Sequence, residues 1–152
     1  MRDLLLNLLA HMRWADALVA DTLERAPRPD AEAERLFAHI ASVEHVWHAR
    51  TLGRQPDYAI WPSLSAADSR ALAARQADLY DQLVTDGGDT GLSVVVDYRN
   101  TAGHPYRSTV GEIITHVAMH GSHHRGQIAR QLRGAGIEPP SMDYIQFARR
   151  DR

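Results

Sequence analysis

Apolar residues recur at helical spacing along four long stretches of the chain, and this pattern constrains the fold more than any other feature. In the first stretch, from Leu4 to about Arg25, every third or fourth residue is apolar, as on one face of an amphipathic helix. Pro27 and Pro29 follow, and proline cannot continue a helix. The pattern therefore predicts a first helix that ends near Arg25.

Residues that favour helix caps and helix ends bound three more helices. Aspartate, serine and threonine are suited to the N-cap, and glycine to the residue after a helix. The predicted helices run from Asp30 to about Leu52 before Gly53, from Ser65 and Asp68 to near Gly87 and Gly88, and from Thr109 and Glu112 to about Arg133 before Gly134.

A hairpin is predicted between the third and fourth helices. The segment from Leu92 to Tyr98 is β-branched and has an alternating pattern, which predicts a strand. Turn residues follow at 100–103, and His104 to Ser108 is predicted to form the returning strand. A short last helix follows Pro139-Pro140 and ends near residue 149. No repeat or linker divides residues 1–152, so we predict one all-α domain, a four-helix bundle with a small β-hairpin before the fourth helix and a short C-terminal helix.

Four of the nine histidines fall within the nine residues 116–124, inside the fourth predicted helix. Histidines four residues apart lie on one helix face and can bind one ion. At about 100° per residue, His124 lies roughly 40° and His120 roughly 80° from the centre of the apolar stripe. By the same geometry His116 lies roughly 120° and His123 roughly 140° away. His120 and His124 are therefore predicted to border the bundle interior, and His116 and His123 to point outward.

His39 is the natural third ligand, because it borders the apolar stripe of the second helix. His45 lies on the side of that helix opposite the stripe, and His48 lies more than a quarter turn away. His11 also borders an apolar stripe, on the first helix, so periodicity alone leaves it as a rival or a fourth member of the site.

Three neutral imidazoles suit Zn²⁺, Ni²⁺, Fe²⁺ or Cu²⁺ better than Mg²⁺ or Ca²⁺. With three protein ligands, coordination positions remain open for water or substrate, which is typical of a catalytic site. The other interpretation is structural: the histidines are solvated, or hydrogen-bonded to carboxylates, and hold no ion.

Composition excludes several other functions. The chain has no cysteine, so it has neither thiolate ligands nor a thiol nucleophile of its own. A net charge of −2 without a basic stripe gives no reason to expect a nucleic-acid partner. No apolar run approaches the roughly 20 residues that span a bilayer, and the N-terminus lacks the features of a signal peptide. We therefore expect a cytoplasmic protein without a membrane partner.

Four segments resemble the DinB-like (DNA-damage-inducible, YfiT-type) superfamily of four-helix metal proteins. The most specific of them is His116–Ile128, and the others are Leu9–Asp16, His39–Trp47 and Tyr98–Gly103. The resemblance implies an up-down-down-up bundle and a metal triad of His39, His120 and His124, without His11. It also implies homodimers, and for some relatives a transferase or isomerase activity that uses a low-molecular-weight thiol such as mycothiol or bacillithiol.

The resulting hypothesis is a divalent-metal-dependent enzyme that acts on a small-molecule substrate as a thiol-dependent transferase or isomerase, or as a hydrolase. The alternative is a non-catalytic metal-binding protein of the stress response. No general base is identified, since Glu112 is expected to pair with His116 and Glu44 lies on the far edge of its stripe. Arg125 is expected to bind an anionic substrate, to form an ion pair or to contact a second subunit. Gly121 and Gly126 would allow helices to approach closely in a dimer.

Overall fold

The computed structural model describes residues 1–28 and 30–150, which form five helices and one antiparallel hairpin. The elements in chain order are α1 (Arg2–Arg25), α2 (Ala31–Thr51), α3 (Ala66–Leu92), β1 (Val95–Arg99), β2 (Pro105–Thr109), α4 (Val110–Gly134) and α5 (Tyr144–Ala148). The predicted helical class and the hairpin before α4 are confirmed. Pro29, predicted to help end the first helix, lies outside the described residues, as do residues 151 and 152.

The predicted helix caps are confirmed at atomic detail. Asp30 accepts a hydrogen bond from the backbone N–H of Ala33 at 2.8 Å, at the start of α2. Ser65 caps α3 in the same way. Thr109 and Glu112 form a reciprocal capping box at α4, in which each side chain accepts a bond from the other residue's backbone N–H.

The predicted end of the third helix is correct only in part. Gly88 has a left-handed φ of +55°, which interrupts α3, but helical turns resume afterwards and continue to Leu92. Leu92 packs into the apolar core in this helical segment. The first strand therefore begins at Val95 rather than at Leu92, and it pairs with β2 so that Tyr98 lies opposite Tyr106.

Each of the four long helices packs mainly against two of the others. α2 packs against α3 and α4, while α1 packs against α3 and also against α4. The segment 54–62 covers α2 as well, because its backbone hydrogen-bonds to α2 side chains such as Ser42 and His45. As a result α2 is buried around almost its whole circumference.

The burial of α2 corrects the expectation for His45 and His48. Both are buried, although helical phase placed them away from the apolar stripe. His45 Nε2 accepts a hydrogen bond from the Asp57 backbone N–H at 2.9 Å, and its Nδ1 lies 3.3 Å from the Gln76 amide. His48 packs edge-on against Tyr80. These histidines are structural residues of the interior.

One apolar cluster sets the rotation of α2 and α4 about their axes. Ile40 of α2 and Ile128 of α4 are both fully buried in it. His39 precedes Ile40, and His124 lies one turn before Ile128, so both histidines are carried to the edge of this cluster.

Within residues 1–28 and 30–150, none of the helices combines the length and the apolar character that crossing a membrane requires.

Candidate metal centre

Three histidines from two helices converge at the edge of the core. His39 comes from α2, and His120 and His124 come from α4. One ring nitrogen from each lies within 4.8 Å of the others, so the group could hold a metal ion. The two Nε2 atoms of His120 and His124 are 3.1 Å apart. The structure thus brings together the three residues singled out in the sequence.

Hydrogen bonds on the outer side of two rings indicate which nitrogen faces inward. His39 Nδ1 lies 2.8 Å from the carbonyl oxygen of Ile60, and a carbonyl only accepts. His124 Nδ1 lies 2.7 Å from Oε1 of Gln127. With the proton on Nδ1, each neutral ring presents the lone pair of Nε2 to the interior, as metal-binding histidines do.

The separation of the two Nε2 atoms fits a shared ion. Two bonds of about 2.0–2.1 Å that meet at a right angle or a tetrahedral angle place their nitrogens roughly 2.8–3.4 Å apart. The 3.1 Å between His120 and His124 falls in this range.

The electrostatics of the group favour neutral rings. Burial, more than any other cause, lowers the pKa of His39, His120 and His124. The pKa of His120 falls to about 3, because charge on His124 and His39 adds to the effect of burial. Neutral imidazole is the form that binds a metal, so these rings are available as ligands at neutral pH without first losing a proton.

Trp61 covers one face of the group. Its ring is stacked on the His39 ring at 3.7 Å between centroids and 7° between planes. The guanidinium of Arg35 lies 4.2 Å from the centre of the Trp61 ring. The expectation that Trp61 folds back onto the body of the protein is confirmed. Its contact with His39 has no signal in the sequence, because residues 54–62 carry no periodic pattern.

The remaining histidines lie outside this group. His11, the rival ligand, has its Nε2 at 2.7 Å from the carbonyl oxygen of Met142 and packs against Tyr144 and Phe147 of α5. It serves to attach the C-terminal segment to α1. His116 and His123 are exposed, as predicted from their helical phase.

Arg125 is used within the fold. Its guanidinium donates to the Asp16 carboxylate at 2.8 Å, and both side chains are buried. Gly121 makes room for it, since a Cβ at residue 121 would lie 2.8 Å from Nη1 of Arg125. Of the three roles expected for Arg125, the structure shows the ion pair, which ties α1 to α4.

The two glutamates considered as bases have other surroundings. Glu112 caps α4 through Thr109, so the expected pairing with His116 was wrong. Glu44 is buried, and neither of its oxygens has a hydrogen-bond partner among the described residues. Burial raises the pKa of Glu44 well above its ordinary value, and the charge of Asp16 adds to the shift. Within the described residues, the group that could hold a metal contains histidines only.

Comparison with known protein families gives a match. The model of the DinB family matches residues 1–151, which include both helices that carry the three histidines. A search of curated proteins found no match.

The buried Glu44 leads to a pH-dependent stability. Because its pKa is raised in the folded protein, Glu44 stays protonated at pH values where the unfolded chain is ionised. Its contribution to stability is therefore complete below the ordinary value of 4.5 and is lost as the pH rises through the folded pKa. Glu44→Gln keeps the shape of the side chain but removes its ionisable group. We expect it to stabilise the protein at about pH 7 by on the order of 1 kcal/mol or more, because each pKa unit of such a shift is worth about 1.4 kcal/mol.

Urea denaturation at several pH values measures this difference, which should shrink below about pH 4.5. Glu138→Gln is the control, because it makes the same substitution at a carboxyl group that is exposed. A Glu44→Gln variant that follows the same stability curve as the wild type at every pH would contradict the argument.

Proposed function

Since the chain belongs to the DinB family, we propose that it is a metalloprotein that binds one divalent transition-metal ion through His39, His120 and His124. The observation that carries the proposal is the convergence of three neutral imidazoles from α2 and α4 within 4.8 Å. Nitrogen ligands of this kind suit Zn²⁺, Ni²⁺ or Fe²⁺.

The chain's own residues would prepare the site in three ways. The Ile60 carbonyl and Gln127 hold the proton of His39 and of His124 on Nδ1, so that Nε2 is free. Trp61 shields one face of His39 from water. His120 and His124 are only partly buried, so the group has a side that a small molecule can approach.

We further propose that the protein is an enzyme that acts on a small-molecule substrate. When bound, an ion with three neutral protein ligands keeps its full charge and lowers the pKa of a water or a thiol. The chain lacks cysteine, so any reacting thiol would be a low-molecular-weight cosubstrate. The activity would then be that of a thiol-dependent transferase or isomerase, or of a hydrolase.

Several other expectations stay predictions. They are a single domain over residues 1–152, an up-down-down-up order of the helices, a cytoplasmic location, a homodimer, and the lack of nucleic-acid and membrane partners. The packing of α1 and α2 against both α3 and α4 supports a bundle of four helices.

The metal proposal predicts about one divalent ion per chain in protein purified without a histidine tag and titrated with Zn²⁺, Ni²⁺ or Fe²⁺. Replacing a ligand leaves two imidazoles, so His39→Ala, His120→Ala and His124→Ala should each retain less than about 0.2 ion per chain. Elemental analysis after gel filtration measures the content.

His104→Ala is the control, since it makes the same change at a histidine that is exposed beside the hairpin and outside the group. It should bind metal as the wild type does. Equal metal content in all four variants, or a wild type that retains none, would rule out the proposed site.

The outer hydrogen bond of His124 gives a second prediction. Gln127→Leu removes the acceptor that keeps the His124 proton on Nδ1. We expect metal affinity to fall by about 10–100-fold while the fold is retained. Competition with a chromogenic chelator measures the affinity. Gln131→Leu, one turn further along α4, is the control. Identical affinities for the two variants would show that Gln127 does not orient the ligand.

Catalysis is tested with metal-loaded protein, which is offered an electrophile together with a small thiol, or an ester or amide alone. Turnover should need the metal and should be lost in His120→Ala, whereas His104→Ala should keep it. Full metal binding without turnover of any of these substrate classes would instead support the non-catalytic metal-binding protein.

A further inference from the structure

A cleft of about 1010 Å³ lies between the C-terminal end of α2, the segment that follows it and the β-hairpin. None of the three histidines of the candidate metal centre lines it. The two features share a wall, however, because Ile60 lines the cleft while its carbonyl accepts the hydrogen bond from His39. The cleft and the candidate metal centre therefore meet at Ile60.

The cleft is strongly cationic. Four arginines line it against one carboxylate among the described residues: Arg50, Arg54, Arg99, Arg107 and the carboxylate Asp97. Asp97 is already paired with Arg107 at 3.1 Å. Within residues 1–28 and 30–150, neither Arg50 nor Arg54 has a carboxylate within 4.0 Å.

Arg50 is held in place by aromatic rings instead of by a carboxylate. Its guanidinium carbon lies 4.5 Å from the centre of the Trp47 ring and 5.7 Å from that of Tyr98. Burial lowers its pKa. Stacking fixes the plane of the guanidinium but does not neutralise its charge, so the N–H groups at its edge remain suited to an anion.

The end of α2 brings a second arginine to the same cleft. Gly53 has a left-handed φ of +63°, and its N–H bonds to the Arg50 carbonyl at 3.1 Å. The Arg54 N–H bonds back to the Ala49 carbonyl at 2.9 Å, which completes a Schellman turn. This turn reverses the chain, so that Arg54 lines the cleft together with Arg50.

From these observations we propose that the cleft binds a small organic anion, whose carboxylate or phosphate group pairs with Arg50 and Arg54. The tyrosines of the lining, Tyr58, Tyr98 and Tyr106, supply flat apolar surface for the body of such a molecule. The identification of this anion as the substrate rests on the proposed function. Binding itself does not, because the arginines need no metal.

Metal-free protein labelled with ¹⁵N tests the proposal. Benzoate and phenyl phosphate are titrated as aromatic anions, and benzamide as a neutral ring of the same shape. The indole N–H signal of Trp47, assigned with Trp47→Phe, should move with both anions, while that of Trp14 should not. Benzamide should bind at least about tenfold more weakly, because it lacks the charge-assisted hydrogen bonds. Equal binding of benzamide and benzoate would overturn the proposal.

Arginine variants locate the anion. Arg50→Gln and Arg54→Gln should each weaken benzoate binding at least about tenfold. Arg133→Gln is the matched control, since it removes the same charge from the last turn of α4. If Arg50→Gln lowers the melting temperature but leaves benzoate affinity unchanged, Arg50 serves only the end of α2 and the proposal fails.

The metal-site variant His120→Ala separates the two proposals. It should bind benzoate as the wild type does, even though it should lose the metal. A wild type that holds the metal but binds no benzoate would reject the cleft alone. A wild type that binds benzoate but holds no metal would reject only the metal centre.

Discussion

The packing of α2 against α4 is the constraint on which the candidate metal centre depends. His39 and His120 are far apart in the chain, and no local interaction brings them together. Ile40 and Ile128 are fully buried in one cluster, and they fix how each helix is rotated. A shift of one residue in either helix would turn its side chains by about 100° and separate the ligands. Ordinary core packing therefore controls the geometry of a polar site.

The same packing explains how far the sequence could predict this structure. Helix starts depend on local capping, so Asp30, Ser65 and Thr109 were found correctly. Helical phase selected the three converging histidines together with His11, because it measures only the angle from a known apolar stripe, and the family resemblance set His11 aside. It was wrong for His45 and His48, since phase assumes one exposed face, and α2 is covered by α3 and by residues 54–62 as well. That cover comes from distant parts of the chain and leaves no periodic signal.

Two kinds of polar group are buried in this bundle, and they behave differently. The histidines of the candidate centre become neutral when buried, which is the form that a metal needs. Arg125 and Asp16 instead form a buried ion pair at 2.8 Å between α4 and α1. Removing one partner of such a pair generally costs about 3–5 kcal/mol, because the other charge is left uncompensated. The ion pair requires glycine at residue 121, since any side chain there would displace the guanidinium of Arg125.

Residues 54–62 connect the candidate metal centre with the arginine-lined cleft. Arg54 stands at the beginning of this segment, and at its end Ile60 hydrogen-bonds His39 and Trp61 stacks on it. An anion that pairs with Arg54 would thus contact the same segment that orients His39. Arg50 belongs to α2 instead, and its guanidinium lies over the rings of Trp47 and Tyr98. A substitution of Arg50 therefore tests the cleft without changing the segment that orients His39.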